Sequence, residues 1–309
     1  MTWHGFINLL KPPGLSSHAV VNRVRRILGT RAVGHAGTLD PAASGVLPLA
    51  VGKATRLLEY VVAQEKIYVG EATFGVATDT LDQAGQIVWQ ADVPPQITAA
   101  ALESVLQSMV GPLEQTPPAY SAIKHRGRPL YEYARAGETV AVRSRKVFIY
   151  SLTQRDFKPE PWPQLLFWVR CSKGTYVRSL VQEMGQRLGT QATLTFLLRE
   201  QVGDFSVQSA LTLEELGQLA AEGNVADFLL PPAIALREWP HLSLDLVLAR
   251  RFLQGQRIRL NAGREGQEVA VFWGQHLLGI GRFDQGILAP RKVLAKWEEL
   301  RQNDNHQSV

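Results

Sequence analysis

The chain reads as an α+β protein, with a mixed, largely antiparallel sheet domain over residues 1–235 and a small β-rich module over 236–309. Three observations predict this. Helical and strand-like segments are interleaved without the regular βαβ alternation that a doubly wound parallel sheet requires. The strand-like segments are rich in β-branched and aromatic residues. Near residue 235 the segment LLPPAIALREWPHLSL, carrying Pro231, Pro232 and Pro240, interrupts that pattern, and short strands with glycine turns follow.

Each element has its own warrant. Between Ser17 and Gly29 the apolar residues Val20, Val21, Val24, Ile27 and Leu28 follow helical spacing, with serine at the start and glycine past the end. Arg23, Arg25 and Arg26 then lie off the apolar face. Strands are expected over Ile67–Phe74 and Gln86–Gln90. A helix over Ala99–Val110 has Thr98 as cap, Leu102, Val105, Leu106 and Met109 inward, and Gly111-Pro112 as its stop. Strands over Lys146–Asp156 and Leu165–Ser172 precede a helix over Val177–Leu188. Thr212 with Glu215 forms a capping box that opens another short helix. The C-terminal module holds a helix over Leu244–Gln254 and then EVAVFW, HLLGIGRF and APRKVLAKW. The final RQNDNHQSV is polar and expected to fray.

Among 309 residues, 45% are hydrophobic and 20% charged, enough to bury a sizeable core. No run approaches the ~18 apolar residues that span a bilayer, and MTWHGFINLLKPPG carries neither a basic leader nor a cleavage site. The expectation is a cytoplasmic protein without a membrane partner. A lone Cys171 has no partner for an internal disulfide and reads as a small buried hydrophobe. The seven histidines show no zinc-ligand spacing, so no metal is expected. The net charge of +5 is unevenly spread: +5 over 1–64, −6 over 65–119, +5 over 120–146, −2 over 147–235 and +3 over 236–309. Positive blocks of this kind suit phosphate, although a solvated basic face has the same composition.

The chemistry concentrates in GHAGTLDPAASGVLPL, residues 34–49. Asp40 has no ionisable neighbour between itself and His35 or Lys53. Gly34, Gly37 and Gly45 let the backbone adopt positive φ and let another molecule approach, while Pro41 holds Asp40 extended. A carboxylate so held reads as a reactive group. The competing reading makes Asp40 the cap of a helix over Pro41–Ser44. Farther on, residues 120–146 interleave Tyr120, Tyr131 and Tyr133 with Lys124, Arg126, Arg128 and Arg135 around Gly127 and Gly137. Aromatics can stack on bases and cations can neutralise phosphates, so this insertion reads as a mobile RNA-binding loop.

Together these segments resemble the TruB-type family of tRNA pseudouridine-55 synthases. The resemblance is carried by KPPGLSS at 11–17, the Asp40 loop, KIYVGEATFGVATDTLDQAGQI, YSAIKHRGRPLYEYARAG at 120–137 and CSKGTYVRSL at 171–180. It implies an isomerase of the tRNA T-loop with no cofactor, working as a monomer without an obligatory protein partner, and a PUA-like RNA-binding module at the C-terminus. It also implies roles for single residues. Asp40 would be the nucleophile that holds sugar or ring while the base turns, and Arg178 its fixed cation. Tyr68 would stack on the base and accept the C5 proton, with Lys11 and Pro12 bracing its ring from behind. His35 would fill the gap left by the extruded uridine, and Leu197 would wall the pocket. The RNA itself would be held by Lys124, Arg126, Arg128, Tyr131 and Arg135. One departure stands out: where the family reads Leu-Arg-Arg, this chain has Leu198 at the first arginine and Glu200 beyond, leaving Arg199 as the remaining cation. Two other readings stay open at this point, an RNA-binding or tRNA-chaperone protein and a sibling synthase of ribosomal RNA or one guided by a separate RNA.

Overall fold

The computed structural model describes residues 3–92, 97–159, 161–260, 262–297 and 300, so the C-terminal RQNDNHQSV lies outside the described residues. Strand β1 (Gly5–Lys11) leads into helix α1 (Ser17–Ile27), capped by Ser16, whose side chain accepts from the Ala19 amide. The short β2 (Val33–His35) and β3 (Ser44–Val51) follow, then a 3₁₀ turn over Gly52–Leu57, α2 (Leu58–Ala63) and β4 (Lys66–Phe74). A separate hairpin of β5 (Val76–Thr78) and β6 (Ile87–Gln90) precedes α3 (Ala99–Ser108) and β7 (Gly111–Gln115). Next come β8 (Lys124–His125), β9 (Arg128–Pro129) and α4 (Leu130–Arg135). The elements that follow are β10 (Arg145–Lys158), β11 (Gln164–Cys171), α5 (Val177–Arg187), β12 (Ala192–Val202), β13 (Phe205–Ser206), α6 (Leu213–Ala221) and α7 (Val225–Phe228). Helix α6 opens on the Thr212–Glu215 capping box, with both reciprocal bonds made.

The main sheet runs β1-β3-β12-β4-β11-β10-β7, with β2 on β3 and β13 on β12. Every pairing in it is antiparallel except β3 with β12, where Ser44 and Arg199 fall in the parallel register Leu198–Ser44 and Arg199–Gly45. The mixed, largely antiparallel sheet is therefore as the sequence suggested. Pro41–Ser44 is not a helix: a turn closed by Ala43 N to the Asp40 carbonyl runs straight into β3, which removes the capping reading of Asp40.

Strand β3 is buried on both faces, which is why SGVLPLAV reads as an apolar run without alternation. Leu47, Leu49 and Val51 pack with Val20, Val21 and Val24 of α1 and Leu213 and Leu216 of α6. On the same face, α3 and α5 lay Leu102, Leu106, Leu180, Val181 and Met184 over β4, β10 and β11. Each such fully buried side chain contributes about 1.5 to 3 kcal/mol. Between the two helix groups, Lys66 and Tyr68 of β4 and Leu197 and Arg199 of β12 line a cavity.

A second sheet takes the order β14 (His241–Ser243), β16 (Glu268–Trp273), β17 (His276–Asp284), β18 (Ile287–Val293), β15 (Ile258–Arg259), with α8 (Leu246–Leu253) against it. It is seated on the other face of the first sheet, where Ala270, Ile280 and Leu294 share a core with Phe6, Val46 and Ala50. The Arg56 guanidinium donates to the Val293 carbonyl at 2.6 Å, and the Lys292 ammonium to the Arg56 carbonyl at 2.7 Å and to Glu59. No described helix is long and apolar enough to cross a membrane.

Candidate active site

Asp40 sits in a strapped loop. Ser17 Oγ donates to the Leu39 carbonyl at 3.0 Å and accepts from the Leu39 amide at 2.8 Å, while the Gly14 amide and the Lys11 ammonium donate to the Pro41 carbonyl at 2.8 and 3.2 Å. The residues on either side of Asp40 are thus tied to the KPPGLSS segment. Gly37, at φ +101°, brings the chain into this loop in a conformation an L side chain rarely adopts.

The carboxylate meets a cation from the other side of the cavity. Arg178 lies in the first turn of α5, 3% exposed, with Nε 2.9 Å from Asp40 Oδ2. Its two terminal nitrogens donate to the Thr80 and Tyr120 carbonyls, each at 2.9 Å. Three further contacts hold this helix start. The Gln115 side chain accepts from the Tyr176 amide at 2.7 Å and donates to its carbonyl at 2.9 Å, and Ser179 Oγ donates to the Thr116 carbonyl at 3.0 Å. A second acid, Asp82, stands 3.7 Å from the same Arg178 Nε. It is fixed by Thr80 Oγ1 at 2.7 Å and the Ala84 amide at 3.0 Å, in a turn where Leu81 takes φ +63°. Burial pushes the Asp40 pKa up and Asp82 adds to this; Arg178, and more weakly Lys11, act in the opposite direction.

The cavity in front of these groups has a volume of about 330 Å³, within the range of small-ligand sites. Its sheet floor is Tyr68 and Lys66 of β4 with Leu197 and Arg199 of β12, and its rim includes Tyr176, Ser121 and Arg145. Register explains the floor: Arg199 pairs with Tyr68 and with Gly45, and Gly45 with Lys11, so the four occupy one row on one face. Gly45 is indispensable there, because a Cβ would stand 2.3 Å from the Arg199 carbonyl oxygen.

The structure gathers Asp40, Arg178, Tyr68 and Leu197 around one cavity. It does not put Lys11 behind the Tyr68 ring. Two strands, β3 and β12, separate them, and the fully buried Lys11 ammonium is committed to the carbonyls of Pro12, Leu15 and Pro41 at 2.9, 2.7 and 3.2 Å. Burial lowers its pKa to about 8, with Asp40 opposing. His35 lies outside the cavity lining, half-buried on β2 opposite Leu49, its pKa lowered by burial and then by the charges of Arg199 and His18. Lys124, Arg126, Arg128, Tyr131 and Arg135 also lie away from the lining. Their segment is no open loop but a two-residue hairpin, with Arg126 and Gly127 both at positive φ, followed by α4. Lys124, Arg126 and Arg135 are exposed, whereas Arg128 is held by Glu138 at 3.0 Å and lies 4.3 Å over the Tyr133 ring.

Sequence reasoning missed Asp82, Lys66 and Tyr176. The signal was present for Lys66, since strand alternation puts it on the face of Tyr68 two residues away. No local pattern marks Asp82, whose neighbour in space is 96 residues distant. The departures at 198 and 200 face away from the cavity: Glu200 accepts from Trp168 Nε1 at 3.0 Å, and only Arg199 between them points in.

Comparison with known proteins agrees with this arrangement. Residues 25–177 match the model of the TruB family pseudouridylate synthase N-terminal domain, and residues 240–294 that of the pseudouridine synthase II TruB C-terminal region. A tRNA pseudouridine synthase B of Symbiobacterium thermophilum is 47% identical over 251 residues, covering 81% of this chain and 82% of its own. Another, from Caldanaerobacter subterraneus subsp. tengcongensis, is 40% identical over 294 residues, 95% and 100% of the two chains. Among solved structures, a chain of a Cbf5-Nop10-Gar1 complex superposes with a TM-score of 0.74 at 25% identity over 95% of this chain and 86% of that one. Matches of this extent, over both sheets and the Asp40 loop, mean that the chain belongs to the TruB family of pseudouridylate synthases.

Proposed function

We propose that this protein isomerises a uridine of tRNA, at position 55 in the T-loop, with Asp40 as nucleophile. The observation that carries the reading is the Asp40–Arg178 pair at 2.9 Å, facing a cavity floored by Tyr68. The tRNA substrate is supported by the relatives' name, tRNA pseudouridine synthase B.

The reaction breaks the C1′–N1 bond, turns the ring, forms C1′–C5 and removes the C5 proton. A carboxylate can hold one fragment in a transient covalent bond, and it must be ionised to do so. Arg178, a planar cation that does not deprotonate, opposes the rise that burial imposes on its pKa. Tyr68 offers its ring face to the base and its oxygen to the departing proton, and Leu197 closes the apolar wall. Extruding the uridine costs a few kcal/mol. His35 lies outside the cavity, where a ring filling the gap in the RNA has to be. Lys124, Arg126 and Arg135, exposed on the hairpin and α4, would engage phosphates, with Arg128 and Tyr131 shaping that surface. The C-terminal sheet, in the 236–309 segment, would be a further RNA-binding module. The enzyme would act in the cytoplasm as a monomer, without metal, cofactor or obligatory protein partner.

The test is release of tritium from [5-³H]uridine tRNA, with pseudouridine mapped in the product. The parent releases tritium at one site in the T-loop and Asp40→Asn releases none while still binding tRNA. Full release by Asp40→Asn would refute the nucleophile, and modification elsewhere would refute the substrate.

A further inference from the structure

Among the described residues Arg199 is the largest side chain that is almost completely buried, at 1% exposure, and the steps above do not use it. Its Nε donates to the Val46 carbonyl at 2.8 Å and its Nη2 to the Gly37 carbonyl at 3.1 Å. Directly across the strand pair stands Tyr68, on the same cavity floor, and its phenol feels the charge of Arg199. Both acceptors and the phenol are neutral. Among the described residues no carboxylate stands within ion-pairing distance of Arg199. A guanidinium does not shed its proton, and an unpaired buried charge costs several kcal/mol.

The backbone is shaped around this residue. A register shift follows Arg199 in its pairing with β4, and bulges of this kind re-aim side chains beside active sites. On the other side Gly45, at φ +115°, admits β12 so closely that any side chain would strike the Arg199 backbone. The guanidinium therefore joins the Asp40 loop, through Gly37, to Tyr68.

We propose that Arg199 is a positioning residue for the proton-removal step, fixing the Tyr68 oxygen in the cavity and supplying the counter-charge for its phenolate. This rests on Tyr68 being the proton acceptor. In that step the C5–H bond breaks and the proton goes to the phenolate oxygen. The freed pair forms the C5–C6 double bond as C6 gives up a pair, either to N1, which takes a proton from water, or to the Asp40 oxygen where that is bonded to C6. The phenol then loses its proton to water. The groups facing Tyr68 are Asp40 from the loop, with Arg178 beyond it, Cys171 from β11, Lys66 from its own strand, and Arg199. Burial, Asp40 and Cys171 oppose ionisation of the phenol, and Arg199 favours it. A buried cation lacking an anion in the resting site thus gains one as the phenolate forms.

The experiment is single-turnover tritium release against pH for the parent, Tyr68→Phe, Arg199→Met and Arg199→Lys, each with Tyr68 also replaced by 3,5-difluorotyrosine in the two arginine variants. Loss of Arg199 moves the alkaline-rising limb up by about one pH unit, tenfold in rate on the limb, and the more acidic fluorinated phenol moves it back. Covalent trapping on 5-fluorouridine RNA persists throughout. Should Arg199→Met fail to fold, Arg199→Lys is read alone, since an ammonium cannot span Gly37, Val46 and Tyr68 together. A limb that stays put while the rate falls uniformly, or a fall that fluorination leaves unrepaired, overturns the inference. If Tyr68→Phe itself releases tritium normally, it is the assignment of Tyr68 that fails.

Discussion

Replacing Arg178 by alanine tests the centre of the site. The guanidinium lies 2.9 Å from Asp40 and 3.7 Å from Asp82 and, among the described residues, it alone bridges the two acids. At an effective dielectric of about 20, the closer pair is worth about 6 kcal/mol of gross attraction. Desolvation offsets part of this; breaking buried pairs typically costs about 3 to 5 kcal/mol, and with the Asp40 side chain 34% exposed the loss falls toward the lower figure. If Asp40 is the nucleophile, that loss falls on the transition state and slows single-turnover release about 150- to 5000-fold. Without that cation Asp40, buried and beside Asp82, ionises less readily, so the variant should recover part of its rate as pH rises, a trend absent from Asp40→Asn. Arg178→Lys keeps the charge but cannot bond Thr80 and Tyr120 while reaching Asp40, and should fall between parent and alanine. Arg178→Ala within threefold of the parent would refute the pairing as the source of Asp40's reactivity.

Gly45→Ala, which combines positive φ with a Cβ 2.3 Å from the Arg199 carbonyl oxygen, should cost at least about 2 kcal/mol in urea unfolding. Gly14→Ala, at φ +85° with nothing within 4 Å, should cost about 1 kcal/mol; equal losses would mean that strand contact at Gly45 is unimportant. For Lys11, with a folded pKa of about 8 below its ordinary 10.5, the unfolded chain binds the extra proton between those values, so stability rises with pH across that window. The parent should therefore gain about 2 kcal/mol on Lys11→Met between pH 8 and 10, and a constant difference would contradict the burial of a charged lysine. Affinity for tRNA should drop steeply from about 50 to 200 mM salt. A joint change of Lys124, Arg126 and Arg135 to glutamine should flatten that slope, and an unchanged slope would remove these residues from the RNA surface.

The sequence by itself determined the five longer helices, α1, α3, α5, α6 and α8, and strands β4, β6, β10, β11, β16, β17 and β18, because caps, glycine stops and apolar spacing are local: α1, α3 and α5 begin where Ser16, Thr98 and Tyr176 end the preceding extended chain. Asp40 stood out from its own loop, whereas Tyr68 and Arg178 were marked only by the family resemblance. Strands β1, β3, β7 and β12 were not legible as strands; β3 and β1 are covered on both faces and lose the alternation that marks a half-exposed strand. Only the tertiary structure decided which charges meet. The Asp40–Arg178–Asp82 cluster joins a loop, a helix start and a turn, and the row Lys11–Gly45–Arg199–Tyr68 exists only once four strands are in register. The physical reason is that strand register and long-range charge pairing are set by the global burial of apolar faces, which no short stretch of chain contains.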